Sequence, residues 1–222
     1  MTEAPAPELP AARRGWRRLW HRLRHAGRAH DARRHVAEQL YHAVVKQARR
    51  PIWYRDLGVP DTPEGRFEMI ALHAALVLRR LRREGMAGHA LGQLLFDAMF
   101  VDLDGSLREL GVSDLSVGKY VKRLAGNLYA RLAALDEGLG EATSGNAGMA
   151  DAHVAVAAPE EGRSLCPMLR ANVYHGTAPS DRQVAALARA LAEQDRALAR
   201  QEGAALCGGT IVWVEPDILT EA

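Results

Sequence analysis

Between Leu94 and Lys122 the chain sets charge densely against apolar residues, and this limits what it can fold into. The run LLFDAMFVDLDGSLRELGVSDLSVGKYVK begins within a helix expected over about Gly88–Val101. Leu91, Leu94, Leu95 and Ala98 lie on one side of that helix, with Phe96 and Phe100 opposite. A helix apolar on both sides belongs at the centre of a bundle. Asp97 rides on it beside Gln93, an acidic turn of Asp102 and Asp104 follows, and then come Arg108 and Glu109. The segment Gly111–Lys119, with Asp114, opens the next helix. Charge held this close to apolar surface is costly unless it pairs internally or with a partner.

The remaining pattern is helical as well. A basic amphipathic helix is expected over residues 13–30, with Trp16, Leu19, Trp20 and Leu23 at i, i+3, i+4, i+7. A second runs from about Ala32 to Arg49, with Val36, Leu40, Val44 and Ala48 on one side, and ends at Pro51. Asp61 or Thr62 caps a third, in which Pro63 occupies the first turn and Glu64 follows Asp61 at capping-box spacing. Phe67, Ile70, Ala74, Val77, Leu78 and Leu81 are its core stripe, and Arg79, Arg80, Arg82 and Arg83 close it favourably for the helix dipole. A further helix spans Ser116 to about Leu135. Glu137–His153 is Gly-rich, without periodicity, and reads as a flexible loop. Helical signals return at Arg163–Tyr174 and at Ser180–Arg200, where Ser180 and Gln183 make a capping box. Gly208–Val214 is the one good strand candidate. The expected fold is mostly α, a bundle of about five to seven helices with at most a short C-terminal strand. Residues 1–30 are a disordered start plus the basic helix, and 31–222 are the helical domain.

Composition excludes several classes. Hydrophobic content of 48% with 25% charged residues suits an ordinary globular core. The longest apolar run, Met69–Leu78, is broken by His73 and too short to span a bilayer. Cys166 and Cys207 stand far apart without CxxC spacing, as expected of buried or idle thiols in a reducing compartment, with a disulfide the minor alternative. Net charge of +2 conceals a polarity. From Arg13 to Arg50 twelve basic residues face only Asp31 and Glu38, a net of +10, while residues 51–222 carry a net of −6. The two ends should therefore want different partners.

No residue set supports catalysis. Gly111–Tyr120 has six residues rather than four between its glycines, and Tyr120 stands where a phosphate loop needs Ser or Thr. Asp102-Leu103-Asp104-Gly105 starts like a calcium loop, but its glycine comes too early and the twelfth-position Glu is missing. His21 and His25 at i, i+4 lack carboxylate or thiolate co-ligands. No cofactor, metal or small-molecule substrate is expected. Arg131 falls in the same arc as Val117, Leu124 and Leu128, where a lone guanidinium is expensive. Its counter-charge should come from Asp97, Asp102, Asp104 or Glu109. Either an internal ion pair fixes helix register, or a polar groove receives a partner.

The basic N-terminal helix has two functional readings beside that of a solvated tail. Arg13, Arg14, Arg17, Arg18, Arg22 and Arg24 can meet anionic lipid while Trp16, Trp20 and Leu23 enter the headgroup boundary. The same arginines can meet RNA or ribosomal phosphate while the tryptophans stack. Its acidic, proline-rich, serine-free start departs from a mitochondrial presequence, so a bacterial cytoplasmic protein fits better.

One family carries many of these residues in order. Tyr41 leads through Gln47-Ala48-Arg49-Arg50-Pro51 to Tyr54, followed by GVPDTPEGRFEMIALH (Gly58–His73) and Arg80-Leu81. Gln93, Leu95-Phe96-Asp97, Phe100-Val101-Asp102-Leu103-Asp104, Leu107 to Val112, Asp114-Leu115, Val117-Gly118-Lys119 and Asn172-Val173-Tyr174 complete the pattern. Over about 35–175 the chain resembles the ubiquinol–cytochrome c chaperone family. It departs from the family pattern at Ser113 and Ala130, where glycine is usual. The resemblance implies an α-helical, non-enzymatic factor that holds newly made cytochrome b during complex III assembly, near the ribosome exit and with a small partner protein in mitochondria. It leaves the basic N-terminus and about the last forty residues unexplained. The candidate partner-binding residues are Asp97, Asp102, Asp104, Arg108, Glu109, Asp114, Lys119 and Arg131. The expected place is the inner face of the bacterial cytoplasmic membrane, or the matrix side in a eukaryote. An RNA- or ribosome-binding regulator and a structural subunit of the finished complex are the alternatives.

Overall fold

The computed structural model describes the backbone of residues 11–109, 114–140 and 162–216, and the side chains of 30–109, 117–140 and 162–216. Every regular element in these stretches is helical. In chain order they are α1 (Ala11–Ala48), α2 (Pro51–Arg55), α3 (Pro63–Leu81), α4 (Gly85–Glu109), α5 (Asp114–Gly138), α6 (Cys166–Asn172), α7 (Asp181–Arg200) and α8 (Gly203–Cys207), with short 3-10 turns at Arg82–Glu84 and Arg163–Leu165.

The two N-terminal helices expected from the sequence are one. α1 runs unbroken through Asp31, because the junction holds no proline and Gly27 alone costs only about 1 kcal/mol in a helix. Its C-terminal half buries Ala37, Leu40, Tyr41, Val44 and Ala48 at helical spacing. The chain then folds back on itself. Trp53 is fully buried and its Nε1 donates to the Gln47 carbonyl at 2.7 Å, while the Tyr54 hydroxyl donates to the Ala48 carbonyl at 2.8 Å. These bonds satisfy carbonyls left over at the end of α1.

Thr62 is the N-cap of α3, accepting from Gly65 N at 3.1 Å, and Pro63 begins the helix. The Asp61–Glu64 capping box is not formed, since Asp61 lies outside the cap and accepts from Arg66 at 2.6 Å instead. α3 is the central helix, with Met69 to Val77 buried on all sides and packed by α1, α4, α5 and α7. That role was expected of α4. Gly85, at φ +60°, turns the chain from the 3-10 turn into α4. Gly88 then lets the two helices close, for a Cβ there would run into the Leu81 carbonyl.

α4 continues to Glu109, so Asp102 and Asp104 are helical rather than in a turn. α5 begins at Asp114 and buries Val117, Leu128 and Leu135. Most of the Gly-rich stretch expected as a loop lies outside the described residues, although its first two residues, Glu137 and Gly138, complete α5. The capping box of α7 is present as expected, with Ser180 accepting from Gln183 N and Gln183 Oε1 accepting from Ser180 N. Gly208–Val214 forms no strand. It is a strap over α7, held by glutamine side chains rather than by a neighbouring strand.

Candidate partner-docking surface

The buried charges are used within the bundle. Arg131 is 6% exposed, and its Nε and Nη2 donate to the two carboxylate oxygens of Glu68 at 2.7 and 2.9 Å. The expectation of an internal pair stands, but its partner is Glu68 of α3, not Asp97, Asp102, Asp104 or Glu109. Arg131 thus leaves the docking candidates. The signal for Glu68 is the uncharged run Met69–Leu78. A helix surrounded on all sides takes the charges at both ends of that run, Glu68 and Arg79, into the interior.

Arg79 is the second such group, which the sequence analysis read only as a charge favourable to the dipole at the end of its helix. Its guanidinium donates to Asp195 at 3.0 Å, to Asp136 at 2.5 Å and to the Gly140 carbonyl, tying α3 to α5 and α7. Arg80 donates to the Leu198 and Gln201 carbonyls at 2.9 and 2.8 Å and pairs with Glu84. It thereby caps the negative end of α7.

The outer half of α4 is different. Asp97, Val101, Asp104 and Arg108 follow one another at helical spacing along its outward face. Val101 is 70% exposed, Asp97 accepts from Gln93 at 2.9 Å, and Asp104 accepts from Arg108 at 2.7 Å. Glu109 is exposed at the helix end. On the flank facing α1, Asp102 accepts from the Tyr41 hydroxyl at 2.7 Å. Burial and the neighbouring carboxylate push the Tyr41 phenol well above its usual range, so it stays a donor. This bond floors a cleft of about 470 Å³ in which Arg34 and His42 of α1 face Asp97 and Asp102 of α4. On the other flank Phe96 stacks on Phe100 at 4.4 Å and on the 58%-exposed Tyr129 of α5 at 5.5 Å.

Lys119 is exposed on α5, one residue from Tyr120, whose ring lies 4.6 Å from the Arg123 guanidinium. The side chains of Asp114 and of Arg13, Arg14, Trp16, Arg17, Arg18, Trp20, Arg22, Leu23 and Arg24 lie outside the described residues, though all sit on helical backbone. Among the described residues no three His, Cys, Asp or Glu side chains could hold a metal ion. No described helix is long and apolar enough to cross a membrane.

An all-helical bundle with an acidic, partly apolar face and internally neutralised core charges is thus the object to be placed. Residues 55–213 match the model of the ubiquinol–cytochrome c chaperone family. The chain belongs to that family, and the match reaches into the C-terminal strap, beyond the region where the sequence motifs showed the likeness. Ubiquinol–cytochrome c reductase complex assembly factor 1 of Mus musculus is 26% identical over 104 residues, which cover 47% of this chain and 35% of the mouse protein. The protein of that name in Xenopus laevis is 22% identical over 104 residues, covering 47% and 52%. The chain therefore spans from about a third to about half of the length of these curated relatives. The crystal structure of the Cbp3 homolog from Brucella abortus superposes with a TM-score of 0.70 at 29% identity, covering 88% of this chain and 98% of that one.

Proposed function

We propose that this chain is a non-enzymatic assembly factor of ubiquinol–cytochrome c reductase, one that holds newly made cytochrome b before the other subunits join. Family membership and the names of the curated relatives support the role. The observation that carries the docking surface is Val101. An exposed aliphatic side chain with Asp97 one turn before it and Asp104 one turn after it is a solvated apolar contact framed by charge, the make-up of a transient protein interface. The basic N-terminal helix supplies the second contact, an anionic membrane surface on the cytoplasmic side. Its seven arginines and two tryptophans within residues 13–30 are enough for reversible binding at about 1 kcal/mol for each cation near such a surface.

The test combines gene deletion with Asp104→Lys and Glu109→Lys, reading haem-b absorbance and complex III activity in membranes beside circular dichroism of the purified variants. Deletion should lower both readouts, and the charge variants should do so while staying folded. Normal complex III in the deletion strain overturns the assembly role. Normal complex III with only the charge variants removes this surface from it. Co-purification with the mature enzyme rather than with its intermediates would identify a structural subunit instead.

A further inference from the structure

Arg49, Pro51, Tyr54, Arg55, Asp61 and Arg66 line a cavity of about 630 Å³ that takes no part in the α4–α5 surface. It forms where two runs of the sequence meet, the turn from α1 into α2 and the entry to α3. Pro51 begins α2 and cannot continue α1, so Arg49 and Arg55 stand on either side of a bend in the chain. Tyr54 is pinned at that bend by its bond to the Ala48 carbonyl. Thr62 and Pro63 start α3, and Arg66 comes from its first turn.

Three guanidinium groups against one carboxylate give this lining a net charge of +2. Arg66 donates to Asp61 at 2.6 Å and Arg55 to the adjacent Asp56 at 2.8 Å, but both pairs lie at the surface, where such pairs hold little energy. The Arg49 guanidinium has no hydrogen bond or ion pair among the described residues. Burial pushes the Tyr54 phenol up, and Arg66 and Arg49 pull it back against Asp61, which places both guanidinium groups around that hydroxyl. The hydroxyl gives its own proton to Ala48, so the anion that these arginines lack has to come from outside. Planar guanidinium forks match the oxygens of a phosphate group.

Shape and surroundings select the source of that phosphate. Arg49, Pro51, Arg55, Asp61 and Arg66 are all exposed, so the cavity is an open bowl. Sites for free small molecules enclose most of their ligand instead. The bowl also ends a basic line along α1. Arg49 N donates to the Val45 carbonyl at 3.0 Å, so Arg49 keeps the register of that helix. Arg24, Arg28, His35, His42, Lys46 and Arg49 follow one another at helical spacing along one side of it, over about 38 Å. The last four are exposed. Asp31 and Glu38 are the acids on that side, and Glu38 lies 3.9 Å from His35. A basic line of this length, open to solvent, matches an extended anionic surface better than a single small anion.

We propose that the bowl of Arg49, Arg55 and Arg66 takes the phosphate group of an anionic lipid, so that α1 lies along the membrane and meets it at both ends. The inference rests on the membrane contact proposed above for the N-terminal helix and adds a second one at the opposite end of α1. A lipid phosphate gives Arg49 the acceptor it lacks and displaces Asp61 from Arg66 at little cost, because that pair is exposed. One weak membrane anchor gives marginal, reversible binding, and a second makes the attachment stable.

The test titrates the full chain with vesicles of phosphatidylcholine, with and without phosphatidylglycerol, and reads the bound fraction by co-sedimentation. Arg49→Gln with Arg66→Gln should lower affinity for the anionic vesicles about tenfold, the loss of two cations near such a surface after screening. Arg49→Gln alone breaks no bond within the protein and should lower it about threefold, with the circular dichroism of the unaltered chain. Arg189→Gln with Arg200→Gln removes the same charge from exposed positions on α7 and should change affinity by less than about twofold. Unchanged affinity in the cavity variants, or an equal fall in the α7 variant, overturns the proposal. Trp16→Ala with Trp20→Ala keeps the two failures apart. If it releases the chain from anionic vesicles while the cavity variants do not, only this inference falls. If none of them does, the membrane contact falls with it. Calorimetric titration with inorganic phosphate checks the source. Saturable binding without lipid, lost on Arg49→Gln, gives the bowl to a soluble phosphate and overturns the lipid assignment.

Discussion

Removing one partner of the Arg131–Glu68 pair should be among the most damaging single changes in this chain. Both side chains are under a tenth exposed, and two parallel hydrogen bonds join them. Arg131→Met leaves a buried carboxylate uncompensated, and Glu68→Leu leaves a buried guanidinium. Each should cost about 3–5 kcal/mol. For a chain of this length that is a fall in Tm of about 10 °C. By contrast the half-exposed Arg108–Asp104 pair is worth about 0.3–0.5 kcal/mol. The double variant should recover most of the loss, because two apolar side chains of similar length fill the space without buried charge. Urea unfolding followed by circular dichroism of the four proteins yields a coupling of about 6 kcal/mol, nearly insensitive to salt. The cycle of Arg131→Met with Asp97→Ala should be additive within about 0.5 kcal/mol. Additivity in the Glu68 cycle would refute the reasoning.

His73 is wholly buried, its Nδ1 lies 2.7 Å from the Met69 carbonyl, and burial holds its pKa down at about 4. The unfolded chain takes up the proton first, so stability should fall by about 1.4 kcal/mol per unit as pH drops from about 6.5 to about 4, and His73→Leu should remove that slope. An unchanged slope in urea titrations would acquit the imidazole. Ser180→Ala removes one half of the α7 capping box and should cost about 1 kcal/mol, read as a shift in urea midpoint at unchanged m-value. Flotation with anionic liposomes should carry the full chain and lose one that starts at Asp31. Equal flotation of both would sink the membrane contact, and lipid-independent RNA binding that weakens log-linearly with salt would replace it.

Local signals in this sequence were legible and long-range pairing was not. Ser180–Gln183 and Thr62–Pro63 announce their helices because capping chemistry acts within a single turn. Asp102–Gly105 suggests a turn for the same local reason, yet α4 continues there. Leu103 and Leu107 are partly buried, Tyr41 holds Asp102, and Asp104 pairs with Arg108, which together outweigh poor helix propensity. For Arg131 its arc on α5 showed burial, while the identity of its partner depends on how α3 is rotated against α5, which no spacing within α5 reports. The strand expected at Gly208–Val214 does not form, since its backbone groups at Val212 and Val214 meet the side chains of Gln201 and Gln194 rather than a neighbouring strand, and nothing in the local pattern reports that. Asp97, Asp104 and Glu109, offered by the sequence as counter-charges of Arg131, lie instead on the outer face and end of α4, because α4 turns Glu109 and the other two away from α3 and α5.

The partners of Arg79 and Arg80 have a consequence for how the chain is made. Arg79 waits for a carboxylate 116 residues downstream, and Arg80 for carbonyls 118 and 121 residues downstream. Until residues 195–201 have been synthesised, Arg79 has only Asp136 and the Gly140 carbonyl, and Arg80 only Glu84, so the C-terminal end of the central helix lacks part of the set of acceptors that lets it enter the interior. α1, α3, α4 and α5 can collapse on one another as they emerge, but that end of α3 has to stay wet. Contacts of such long sequence separation are also the slow ones to close. The interior around that end of α3 is therefore completed late, only once residues 195–201 have been translated.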